Sequence, residues 1–181
     1  AQEIHGMHTR ANGKPYLENH VYPITRNGIE YLRNPGLQGV DPVVFVNDLL
    51  LHDAVEMGPP DTLARVEHAA GPQVMQDVHA LSKPDWKDFS GEDEEEQRFA
   101  RDALYYTTLY HQDKHVRVAK LLDRLHNPQT VWEFPPEQKA RRERTIRGTR
   151  VFHMELAKTT CPLLYVDILR ELEQYQHLVD L

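Results

Sequence analysis

A histidine and an aspartate stand side by side in the apolar run Leu49-Leu-Leu-His52-Asp53-Ala-Val-Glu56. A second apolar run, Val118-Ala-Lys-Leu-Leu-Asp123-Arg-Leu-His-Asn127, again sets an aspartate among leucines. A carboxylate taken out of water alone is strongly destabilising, so proteins pair it or give it to a metal. Two such aspartates, one beside a histidine, point to a shared cation. Imidazole and carboxylate donors with no thiolate suit a borderline-to-hard divalent ion. Such an ion lowers the pKa of a bound water and supplies a nucleophile at neutral pH, so metal-dependent hydrolysis is the chemistry expected.

The elements that must position these residues read as helical almost throughout. Asp41-Pro42 is an N-cap with proline at the first helical position, opening a helix over Val43 to Met57 that Gly58-Pro59-Pro60 closes. Asp61 caps a second, carrying Leu63, Val66 and Ala69/Ala70, which Gly71-Pro72 ends. Pro72 to about Leu81 is a short helix with Val74, Met75, Val78 and Leu81 inward, and Lys83 to Gly91 is a loop. The run Glu92 to Glu96 starts a long helix to Tyr110, its acids complementing the N-terminal dipole. A break at Gln112-Asp113 precedes the helix that carries Asp123, and Asn127-Pro128 is expected to end it. A long helix follows from Pro136 to about Lys158, then a last one from Pro162 with Leu163, Val166, Leu169 and Leu172 or Glu173 on one face. Thr9 to His20, with Gly13 and Pro15, is a loop leading into a helix. With no period-2 strand, the class is all-α, and 181 residues suit one domain over 1–181.

The totals exclude some functions. A net charge of -7 argues against a protein that coats nucleic-acid polymers, while leaving room for a local basic pocket. The single cysteine, Cys161, forbids a disulfide framework within the chain. No apolar run approaches a membrane span and no signal peptide is visible, so the expected location is cytoplasmic.

With these positions set out, three blocks resemble the HD-type hydrolase domain of the RelA/SpoT alarmone enzymes, in its small stand-alone form. His5-Gly-Met-His-Thr-Arg10-Ala-Asn-Gly13-Lys-Pro15-Tyr16-Leu-Glu-Asn-His20 resembles the family's opening pattern. Leu51-His52-Asp53-Ala-Val-Glu56 resembles its His-Asp-x-x-Glu-Asp signature. Asp113, then Lys120-Leu-Leu-Asp123-Arg124-Leu125-His126-Asn127-Pro-Gln-Thr130, resembles its Lys-Leu-Ala-Asp-Arg-Leu-His-Asn-Met-Arg-Thr block, the most specific of the three. The resemblance implies an HD-domain helical bundle and one divalent ion, usually manganese, held by His20, His52, Asp53 and Asp123. It implies a nucleotide substrate, guanosine or adenosine tetra- or pentaphosphate of the (p)ppGpp and (p)ppApp type, that loses its 3'-diphosphate as pyrophosphate. Glu56, four residues after His52, would handle the proton from the same helix face. Arg10 matches the family's base-stacking arginine, and Asn127 and Thr130 match residues near the nucleoside.

The chain departs from the family pattern at three places. Met57 stands where the family has its second acid, which implies slower proton transfer, another substrate, or an acid from the Asp85 to Glu96 segment. One extra residue separates Pro15-Tyr16 from His20, an insertion expected to be absorbed in the loop. Gln129 replaces an arginine, removing a positive charge that Lys120, three residues before Asp123, would offset.

Other signals read more simply. His111 and His115 straddle the Asp113 break and are not expected to share a metal. His126 is expected to support packing, and Tyr105, Tyr106 and Tyr110 to fill the core. Arg141, Arg142, Arg144, Arg147 and Arg150 read as a solvated face, with Arg147 alone near the cleft. Two other functions fit the same frame: a different HD nucleotide phosphohydrolase that releases phosphate, and a catalytically silent nucleotide-binding protein. The sequence leaves purine preference and oligomeric state open.

Overall fold

The computed structural model describes residues 1–34 and 37–175, and the described residues are helical with no strand. In chain order the helices are α1 (Gln2–His5), α2 (Tyr22–Tyr31), α3 (Pro42–Leu51), α4 (Ala54–Met57), α5 (Thr62–Ala70), α6 (Pro72–Leu81), α7 (Glu94–Tyr110), α8 (Lys114–Thr130), α9 (Lys139–Gly148), α10 (Met154–Thr160) and α11 (Pro162–Glu173). None is long and apolar enough to cross a membrane. α8 runs through the middle, burying Val118, Ala119, Leu121, Leu122 and Leu125 together with Lys120, Asp123 and His126. Its apolar side chains join Ile24, Phe45, Leu49, Leu81, Leu109, Ile146, Leu164 and Ile168 in one core. A smaller cluster of Leu51, Ala54, Val66, Val74 and Val78 sits where α5 and α6 meet α3 and α4.

The helix starts follow their caps. Asp41 accepts from the amides of Val43 (2.8 Å) and Val44 (3.3 Å), with Pro42 at the first position. α7 begins two residues later than its acidic run suggests, because Asp93 is the residue that caps the Glu96 amide. Asp61, in contrast, gives its carboxylate to Arg65 (2.9 Å) and caps nothing.

Four elements differ from the sequence reading. The helix expected over Val43 to Met57 breaks after Leu51, and Asp53 sits at φ -106, ψ 11 before α4 restarts. Neighbouring residues on a continuous helix point about 100° apart, and the break changes the relative direction of His52 and Asp53. α8 does not stop at Asn127-Pro128 but carries Pro128 inside its last turn. That turn is braced by the Thr130 hydroxyl, which donates to the His126 carbonyl at 3.0 Å, and by the Tyr175 hydroxyl, which donates to the Pro128 carbonyl at 2.5 Å. The long Pro136-to-Lys158 helix is present from 136 to 160, but with a π turn at Thr149–His153. On α11 the buried face is Leu164, Ile168 and Leu172, whereas Leu163, Val166 and Leu169 are exposed. Both stripes are apolar, so helical spacing alone could not choose between them. Tyr110 is likewise exposed, although Tyr105 and Tyr106 fill the core as expected.

Gly28 sets how closely α2 approaches the helices that carry the site. A Cβ placed there would lie 2.2 Å from Leu49 Cδ1 and 3.4 Å from Leu122 Cδ1. Helix propensity alone favours alanine over glycine by about 1 kcal/mol. Overpacking a filled core costs about 1–3 kcal/mol and is expected to outweigh it. Gly28→Ala should therefore lower unfolding free energy by chemical denaturation, and a variant more stable than the parent would contradict this packing.

Candidate metal centre

The loop before α2 is a small hairpin. Thr9 and Pro15 form an isolated antiparallel bridge, Arg10 N–H donates to the Lys14 carbonyl at 2.8 Å, and Gly13 takes φ 78 at the turn. Lys14 and Asn12 both bond the Glu133 carboxylate, at 2.9 and 2.5 Å, and so tie the hairpin to the turn after α8. This hooks Arg10 inward, where its guanidinium donates to Asn127 Oδ1 (3.4 Å) and Thr130 Oγ1 (3.2 Å).

His20 follows in a π turn at Leu17–Val21. An extra residue in a helix widens one turn in this way, so the insertion is absorbed inside the helix and not in the loop. The Nε2 atoms of His20 and His52 are 3.3 Å apart. His20 Nε2 lies 3.4 Å from Asp123 Oδ1 and 3.7 Å from Asp53 Oδ2. His52 Nε2 lies 3.2 Å from Asp53 Oδ2 and 4.0 Å from Asp123 Oδ1. An ion about 2.0–2.2 Å from each donor spaces neighbouring donors by roughly 3–4 Å, and His20, His52 and Asp123 form a group of that kind, their ligand atoms all within 4.8 Å of one another. Asp53 stands beside the two histidines but is not part of that mutual group, so the structure brings together three of the four expected donors, with the fourth adjacent.

The surroundings keep the donors aligned and charged. His52 Nδ1 donates to the Leu49 carbonyl at 2.8 Å, which leaves Nε2 turned to the centre. Burial works against a charged His52, but Asp53 and Asp123 outweigh it and push its pKa up to about 9, a measure of the negative field a cation would meet. Burial also opposes ionisation of Asp123, yet Lys120 and Arg124 hold its carboxyl well below the usual range. Their cationic groups lie 3.4 and 3.7 Å from Oδ2, while Asn127 Nδ2 donates to Oδ1 at 2.7 Å. Tyr16 donates to Asp53. His126 lies behind His20, the two Nδ1 atoms 3.0 Å apart, and burial, His20 and Arg10 lower its pKa to about 3. Arg10 also reaches His20 Nδ1.

A cleft of ≈ 490 Å³ opens onto this centre, lined by Arg10, Tyr16, Lys83, Lys120, Arg124 and Arg141 besides His20, Asp53 and Asp123. Although the chain carries -7, five cationic side chains face three carboxylates, Asp53, Glu56 and Asp123, in this cleft. Glu56 lines the cleft at its exposed rim and accepts from the Lys83 amide at 3.0 Å. Lys120 is almost fully buried, its ammonium committed to Asp123 and to the Leu81 carbonyl (3.4 Å). Gln129 points away from the cleft to Glu171 (3.3 Å), so its exchange for arginine leaves the lining unchanged. Among the described residues, no acid from the Asp85 to Glu96 segment lines the cleft near Met57. Asp85 and Asp93 cap turns, Glu94 and Glu95 pair with Arg98 and Arg147, and Glu96 accepts from the Glu92 amide. Arg147 is therefore a surface partner of Glu95 and not a cleft residue.

Two cleft residues were invisible in the sequence pattern. Arg141 belongs to a basic run that reads as solvated, yet its guanidinium lies 5.0 Å from the Phe134 ring centroid, with Arg10 at 5.9 Å from the same ring. Lys83 stands in a loop with no motif, and its ammonium packs 5.5 and 5.2 Å from the Tyr105 and Tyr106 rings while bonding Asp102 at 2.9 Å.

No family model matches the chain, and no curated protein matches it. A solved structure of a metazoan ortholog of SpoT, described as hydrolysing ppGpp and playing a role in starvation responses, matches it with a TM-score of 0.70. The match covers 97% of this chain and 90% of that one at 20% identity. The chain thus has the all-α fold of an HD-type hydrolase domain.

Lys83 yields a pH test. Burial, then Arg124, lowers its pKa, and Asp102 only partly restores it, leaving it at about 7. The lysine is charged below that value and neutral above it, so its attraction for an anion fades as pH rises through 7. Binding of inorganic tripolyphosphate should be weakened by Lys83→Met at pH 6 and nearly unaffected at pH 8.5. Equal weakening at both values, by calorimetry, would contradict the assignment.

Proposed function

We propose that the chain is a metal-dependent hydrolase that removes the 3'-diphosphate of an alarmone nucleotide, of the (p)ppGpp or (p)ppApp type, as pyrophosphate. The observation that carries this reading is the meeting of three separated sequence blocks at one point. His20 and His52 each lie 3.2–4.0 Å from Asp53 and Asp123, and Arg10 bonds Asn127 and Thr130 beside them. The cationic lining and the fold shared with a ppGpp hydrolase support it further.

In this reading His20, His52, Asp53 and Asp123 hold the ion, with manganese the first choice from the family resemblance and the imidazole and carboxylate donors suiting a borderline-to-hard divalent ion. When bound, the ion supplies Lewis acidity toward phosphate and acidifies water. The remaining work falls to the chain. Lys120, Arg124 and Asn127 keep Asp123 ionised and oriented, and Tyr16 does the same for Asp53. Lys83, Arg124 and Arg141 face the phosphates, where charge develops on the leaving group. Arg10, released from Asn127 and Thr130, offers a planar cation to the purine face. Glu56, at the rim, takes up the proton.

Purified protein with manganese should release pyrophosphate from ppGpp or ppApp, and Asp53→Ala or Glu56→Ala should abolish the release. Nucleotide binding without any product would favour the silent-binder reading, and phosphate without pyrophosphate would favour a phosphomonoesterase. Met57 adds a second test. If one carboxylate is missing from the proton path, Met57→Asp should raise kcat by about 10²-fold with little change in KM. A drop in kcat would show that the methionine belongs to the working site.

A further inference from the structure

Away from the cleft, α3, α6 and α8 bring a second set of donors together. Asp48, Asp77 and His115 each offer one ligand atom, and these lie within 4.8 Å of one another. His115 Nε2 is 3.0 Å from Asp77 Oδ2 and 3.7 Å from Asp48 Oδ2. Gln73 Nε2 donates to Asp77 Oδ1 at 2.9 Å, which turns Oδ2 toward the histidine. Asp48 supplies an independent observation. It is 0% exposed, and neither carboxylate oxygen has a hydrogen-bond partner among the described residues, although Oδ2 faces the other two donors. Buried polar groups are nearly always satisfied, and each exception calls for a cause. A structural ion pair does not supply one here, since a pair of Asp77 with His115 would be complete without Asp48.

We propose that Asp48, Asp77 and His115 bind a second divalent ion of the zinc or manganese class, separate from the cleft. One imidazole and two carboxylates are a donor set of that class, with room for water to complete the shell. Calcium is disfavoured, since it takes six to eight oxygens. His115 finds its partners on other helices and not in His111, one turn earlier in sequence.

The position suggests what the ion does. Asp48 precedes His52 by one turn on α3, and His115 precedes Asp123 by eight residues on α8, about 12 Å along the helix. The same two helices thus carry donors to both centres. An ion at the second centre fixes the packing of α3 on α8, and with it the separation of His52 from Asp123. Its role is structural, as a clamp on the cleft.

Metal content after dialysis against zinc or manganese, read by elemental analysis, tests this directly. The parent chain should hold two equivalents, Asp48→Asn one, Asp123→Ala one, and the double variant none. A zinc-dependent rise in Tm should persist in Asp123→Ala and vanish when Asp48→Asn or His115→Ala is added. His115 is at the surface edge of the cluster, so its variant serves if Asp48→Asn fails to fold. One equivalent in the parent that Asp48→Asn and His115→Ala leave unchanged would overturn the second site. Loss confined to Asp123→Ala would do so while leaving the cleft ion intact.

Discussion

The carboxylate of Asp123 governs the rest of the architecture. It lies nearly without solvent on the most buried helix, and a lone charge there would cost several kcal/mol. Every neighbour answers to that cost. Lys120 and Arg124 face one oxygen, Asn127 and His20 the other, and Lys120 is itself held by the Leu81 carbonyl and the Tyr105 ring. Removing any one member leaves an unbalanced charge in a low-dielectric core, so the set stands or falls together. Hydrophobic residues of similar volume would pack more stably there, which makes the retained charges evidence of use and not of stability.

Two departures from regular helix serve the same point. The break at Asp53 falls between His52 and α4, beside the point that His52 and Asp53 share. The π turn at Leu17–Val21 takes up one additional residue and still delivers His20 to the donors. Both irregularities lie at the site and not elsewhere in α2 or α3. Backbone that abandons its lowest-energy form at a cluster of ligating side chains is backbone shaped by the cluster.

These irregularities mark the border of what could be read from the sequence. The all-α class and most helix starts followed from caps and prolines, and Asp53, Asp123 and His52 stood out as polar groups in apolar runs, because those signals are local; His20 came only from the family resemblance. The break at Asp53 was not legible, since nothing in Leu-His-Asp-Ala departs from helix propensity. α11 was misread because two apolar stripes share one helix, and only packing against α8 and α10 selects Leu164, Ile168 and Leu172. Arg141 and Lys83 were missed for the opposite reason: a basic run and a loop lysine look solvated until Phe134 and two tyrosines are folded beneath them. His115 was legible only as half of a pair with His111, whereas its partners come from helices more than thirty positions away.

Met57 bears on what the proposed chemistry demands of charge. The lining sets five cations against three carboxylates, and a second acid beside Glu56 would narrow that excess. A substrate carrying several phosphates is bound by the excess, whereas proton transfer is served by the acid. Methionine at this position therefore trades proton-handling capacity for a more positive, more apolar wall. Such an exchange favours retention of a polyanion over rapid turnover. It is consistent with Glu56 being held at the rim by the Lys83 amide, the same residue whose ammonium faces the cleft. The acid and the cation that the proposal assigns to proton and phosphate are thereby tied to one segment. A shift of that segment would alter proton transfer and phosphate binding together, which links the two functions mechanically in a way that separate residues would not.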